Sequence, residues 1–90
     1  MSNNNIIESL NFDSHYSYQL LKNDIIDVES DSRITSYSIL ANVIENNCVK
    51  HGAYICDVSR DIKMAKYIFF EIAYGRVDCE LLEEAVSEML

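Results

Sequence analysis

Proline is missing altogether, and glycine occurs only at Gly52 and Gly75 in a chain of 90 residues. So few breakers argue against a many-turned β sandwich and favour long helical segments. Basic residues are scarce too: 7 stand against 15 acidic ones, for a net charge of −8. Nucleic-acid binding draws on counterion release at Lys and Arg, so the charge argues against direct contact with DNA or RNA. An acidic chain suits a basic protein surface, or simply solubility.

Long apolar runs are absent as well. The longest, Ile68 to Tyr74, is broken by Glu71 and is far too short to cross a bilayer, so no membrane partner is expected. Met1-Ser2-Asn3-Asn4-Asn5 has neither the basic nor the apolar region of a secretory leader, which argues against secretion. Cys48, Cys56 and Cys79 are odd in number and form no C-x-x-C pair, so reduced thiols and an intracellular setting are expected.

What is present is an ordinary globular composition, 49% hydrophobic and 24% charged, in a length that allows one domain. Residues 1–12 read as an N-terminal arm. Asparagines disfavour regular structure there, and Ile6, Ile7, Leu10 and Phe12 need something to cover them. Residues 15–29 fit two patterns. Tyr16, Tyr18 and Leu20 alternate with polar residues, as do Ile26 and Val28, which suggests a hairpin turning at Lys22-Asn23-Asp24. Leu20, Leu21, Asp24, Ile25 and Val28 also fit helical spacing.

Three helices are expected beyond this point. The first runs over Arg33–Val49, capped by Asp31 or Ser32 and ended by Gly52, with Ile34, Tyr37, Leu40, Ile44 and Cys48 on one face. After a Tyr54-Ile55-Cys56 connector, Asp57 or Ser59 caps a second helix that Gly75 closes. Ile62, Ala65, Ile68, Phe69 and Ile72 form one face of it; Tyr67, Phe70 and Tyr74 make it apolar on a second. A helix apolar on every side has to be covered. Asp78 then caps a third helix, with Leu82, Ala85, Val86 and Met89 opposite Glu80, Glu83, Glu84 and Glu88.

Candidate chemistry is thin. Cys48, His51 and Cys56, with Asp57 or Cys79 as a fourth ligand, match no common zinc spacing, and free cysteine is ordinarily a small buried hydrophobe. His15 and His51 sit in no nucleophile–base motif, and neither glycine belongs to a phosphate loop. Asp24, Asp27, Glu29 and Asp31 lack the glycine and terminal glutamate of a calcium loop. No catalytic residue, metal or cofactor is assigned.

Residues Ile34 to Leu82 resemble small helical proteins encoded by phages of low-GC bacteria. The likeness lies in His51-Gly52-Ala53-Tyr54, Asp61, Phe69, Tyr74 and Val77-Asp78; it departs at Tyr74-Gly75-Arg76, where a second aromatic or a threonine belongs. The resemblance implies a component of virion or tail assembly, located in the host cytoplasm or within a virion.

The expectation is therefore a mainly α fold: a small domain of three to four helices over residues 13–90 behind an arm over 1–12, with a short hairpin as the alternative at 15–29. Its core should hold Ile34, Tyr37, Leu40, Ile44, Ile55, Ile62, Ala65, Ile68, Phe69, Ile72, Leu82 and Val86. The expected function is non-enzymatic protein binding by an assembly subunit, to itself as a homo-oligomer or to a virion component. Its contact residues would be Ile6, Ile7, Leu10 and Phe12 in the arm, and Glu80, Glu83, Glu84 and Glu88 on the last helix. The alternative is an acidic DNA mimic that blocks a host nuclease or CRISPR effector, motivated by the clusters Asp24–Asp31 and Asp78–Glu88.

Overall fold

Alternation of apolar and polar residues builds the larger part of this protein. The computed structural model describes residues 5–90, so the arm residues Asn3 and Asn4 lie outside the described residues. Four strands, β1 (Asn5–Phe12), β2 (Tyr16–Asp27), β3 (Ser32–Glu45) and β4 (Cys48–Ser59), form one antiparallel sheet in chain order. Helix α1 (Ile62–Tyr74), a 3-10 turn (Cys79–Leu81) and helix α2 (Leu82–Met89) follow.

The expectation of a mainly helical domain is overturned. Arg33–Val49, read as a helix, instead holds nearly all of the inner strand β3, the turn after it and the first residues of β4. Its apolar residues satisfy both periods, but only the period of two places Tyr37, Ile39 and Ala41 together in the core with Ser36 and Ser38 on the opposite face. β-Branched and aromatic side chains at Ile34, Thr35, Tyr37, Ile39, Val43 and Ile44 favour the pleated form. Asn46-Asn47 is the decisive local feature. Both have positive φ, 54° and 64°, and they join the paired Glu45 and Cys48 as a two-residue turn. No helix continues through such a turn.

The suggested hairpin at 15–29 is corrected as well. Lys22-Asn23-Asp24 does not turn; it lies inside β2, which runs on to Asp27 and pairs with β3 as far as Asp27 and Ser32. Residues 5–12 are not an arm but the edge strand β1, paired from Asn5–Lys22 to Phe12–Tyr16. Gly52 ends no helix; it stands within β4 opposite Asn42, whose Oδ1 lies 2.7 Å from where a Cβ would be.

The helices cover one face of the sheet. Tyr18 and Leu20 of β2, Tyr37, Ile39 and Ala41 of β3, and Val58 of β4 meet Ala65, Ile68, Phe69, Ile72 and Ala73 of α1 and Leu82 and Val86 of α2. Of the expected core, Ile34, Leu40 and Ile44 are only half-buried and Ile62 is 40% exposed, because strand alternation turned the first three away from the helices. The other face of the sheet carries no helix; it mixes Ser17, Gln19, Asn23 and Asn42 with Leu21, Leu40 and Tyr54, and Leu21, Ser36 and Ser38 on it are buried.

Helix α1 starts later than expected. Asp61, not Asp57 or Ser59, is its N-cap, accepting from the amide of Lys63 at 3.1 Å, while Ser59 Oγ accepts from the amide of Asp61. Its end is a Schellman closure, with the Val77 amide on the Ile72 carbonyl and the Arg76 amide on that of Ala73. The left-handed residue is Arg76, φ 50°, and not Gly75.

Candidate interaction surface

The sites expected from sequence separate in the structure. Ile7, Leu10 and Phe12 pack against the hydrophobic core, so the apolar character of the first strand is used within the fold. Ile6 stays 57% exposed. Glu80, Glu83, Glu84 and Glu88 are all exposed, on the 3-10 turn and α2. The two acidic clusters fall on different elements, one at the tip of the β2–β3 hairpin and the other on α2.

Chemistry of other kinds finds little geometry. Cys48 and Cys56 stand eight residues apart on β4, roughly 26 Å along an extended strand, too far to share an ion. Among the described residues no three His, Cys, Asp or Glu side chains gather as a metal site. Cys79 is buried, and its thiol donates to the carbonyl of Ala41 at 3.4 Å. Burial, with help from Asp78, pushes that thiol upward, which keeps it protonated and poorly nucleophilic. Two shallow hollows, each about 310 Å³, flank the β3–β4 turn and share Val43 and Lys50. Glu45 and Lys50 pair across that turn at 2.8 Å; the ammonium holds the carboxyl below its usual range.

The helical layer is different. Among the described residues, six of the eleven exposed large apolar side chains lie there: Ile62, Met64, Tyr67, Tyr74, Leu81 and Leu90. On α1 the buried residues Ala65, Ile68, Phe69, Ile72 and Ala73 take one side. Helical spacing turns Lys63, Met64, Tyr67, Glu71 and Tyr74 to the other, where all five are exposed. The end of this ridge is braced by rings: Tyr74 stacks on Phe70 at 5.9 Å and meets Phe12 edge-on at 6.0 Å, and Arg76 lies 4.3 Å over Phe12. Beside it, Val77, Leu81, Glu84, Ala85 and Glu88 line a shallow groove of about 310 Å³ with a largely apolar floor.

In sequence the second apolar face of α1 calls for cover, either by the rest of a small core or by a partner protein. Only the count of layers shows that no described residue covers it. Among the described residues no helix is long and apolar enough to cross a membrane. No protein-family model, no curated protein and no solved structure matches this chain, so none of these comparisons bears on the resemblance to phage assembly proteins.

Proposed function

We propose that this chain is a non-enzymatic protein-interaction module, of the assembly-subunit kind, that binds a protein partner through the outward side of its helical layer. The carrying observation is the run of Met64, Tyr67 and Tyr74 along solvent, with Tyr67 and Tyr74 57% and 59% exposed on a helix whose other side is fully buried. Tyrosine and methionine are the side chains enriched at protein interfaces, since they bury area while tolerating water beforehand. Of the expected contact residues, Ile7, Leu10 and Phe12 of the first strand pack on the core, while the glutamates of the last helix remain exposed beside this surface.

A photo-crosslinking residue placed at position 67, and as a control at Asn11 on the open sheet face, tests this in expressing cells. Protein adducts at 67 and none at 11 are expected. Adducts at 11 alone, or equally at both, would overturn the reading.

A further inference from the structure

The helical layer carries both halves of one complementary surface, and we infer that its partner is a second copy of this chain, with α1 of each protomer laid against α2 of the other. The inference rests on the reading of that layer as the binding face.

The charges on the two helices are segregated. Arg60, Lys63 and Lys66, three of the seven basic residues, cluster at the start of α1. The stretch from Asp78 to Leu90 holds Asp78, Glu80, Glu83, Glu84 and Glu88 and no basic residue. The two helices pack in one layer, yet among the described residues no ion pair joins them; the pairs present are Lys50–Glu45 and the long Arg60–Asp57 contact at 3.9 Å. Nor do the lysines serve α1 itself. They stand in its first half, where the positive end of the helix dipole opposes them, while Glu71 lies toward the negative end. A charge layout unhelpful within the chain is well suited to recognition between chains.

The apolar parts match in the same way. On α1, Lys63 and Tyr67 are one turn apart; on α2, Glu84 and Glu88 are one turn apart on the rim of the groove floored by Val77, Leu81 and Ala85. Tyr67 of one copy can enter that groove while Lys63 and Lys66 meet the two glutamates. A two-fold axis makes the contact twice and closes it, so no surface of this type is left to polymerise. A standard interface buries about 800 Å² per partner, roughly 13% of the 6073 Å² surface of this chain, which one helical layer can supply. Two chains of charge −8 repel at long range, but that repulsion is screened beyond about 8 Å at physiological salt, and opposed charges at contact fix the register.

Sedimentation equilibrium of the full chain tests the inference with two charge-reversed variants, Lys63→Glu/Lys66→Glu and Glu84→Lys/Glu88→Lys. The wild type should be a dimer. Each variant alone places like charges against like and should self-associate at least about tenfold more weakly. Mixed one to one they should restore a dimer, because both contacts are then complementary. Circular dichroism confirms that each variant is folded. A monomeric wild type overturns the inference while adducts at position 67 would keep the interaction reading. A dimer indifferent to both variants, or a mixture that does not recover, places the interface elsewhere and also overturns it.

Discussion

The Tyr18 hydroxyl donates to the carbonyl of Val77 at 2.8 Å, tying the second strand to the turn that follows the first helix. Residues 59 apart in sequence are thereby joined across the sheet–helix boundary. The ring of Tyr18 is almost fully buried at 1% exposure, between Phe12 at 6.1 Å and Tyr16 at 6.5 Å. Tyr18→Phe should keep the packing but leave the Val77 carbonyl without this donor, at a cost of about 1 kcal/mol in urea denaturation.

The same residue contributes to the alkaline limb of stability. Burial first, then the nearby Cys79, Tyr16 and Asp78, pushes its phenol from 10.0 to about 12, with Arg76 opposing. The raised folded value means the native state holds its proton longer than the unfolded chain does. This contribution is complete below pH 10, declines as pH rises from 10 to about 12, and is spent above. Tyr18→Phe should flatten that part of the stability profile; an unchanged slope between pH 10 and 12 would assign the effect to other groups.

Asn47→Gly separates strand from helix at residues 33–49. In the two-residue turn Asn47 holds φ 64°, a conformation glycine adopts without strain, so the change should stabilise by up to about 1 kcal/mol. Were this segment helical, glycine would destabilise by about the same amount. The sign of the shift in Tm decides.

Capping of α1 gives a third check. Asp61→Ala removes the acceptor for the Lys63 amide and should cost about 0.5–2 kcal/mol; Asp61→Asn should retain most of it. Ser59→Ala removes the acceptor for the Asp61 amide and should cost about 1 kcal/mol by the same chemical denaturation.

The first strand belongs to the core, so its removal is structural. Leu10→Ala should cost about 2 kcal/mol, the low end of the range for buried leucine, since Leu10 is only half-buried. Deleting residues 5–12 should abolish the cooperative thermal transition, because β2 would lose its neighbour and Ile7, Leu10 and Phe12 would leave the core. A truncated chain that melts cooperatively at the wild-type temperature would restore the free arm.

Thiol accessibility provides a last test. Cys48 and Cys56 are exposed and Cys79 is buried. Alkylation of the native protein followed by mass spectrometry should therefore label two thiols quickly and the third only on unfolding.

Charge and composition were legible from the residues alone: an acidic chain with a solvated glutamate face on its last helix. Helix α1 was legible too, because Ala65, Ile68, Phe69 and Ile72 repeat at a period that no strand can use, and all four are buried. The strands were not. In β2 and β3 the apolar residues satisfy two periods at once, and local propensity cannot choose between them when Leu, Ile and Tyr fill either pattern. The choice came from partners far along the chain: β3 is held between β2 and β4, and a helix there would have left their backbone hydrogen bonds unmade. Only that pairing turned Ile7, Leu10 and Phe12 from a loose arm into core. By filling one side of the single helical layer, it also left Met64, Tyr67 and Tyr74 exposed, with none of the described residues covering them.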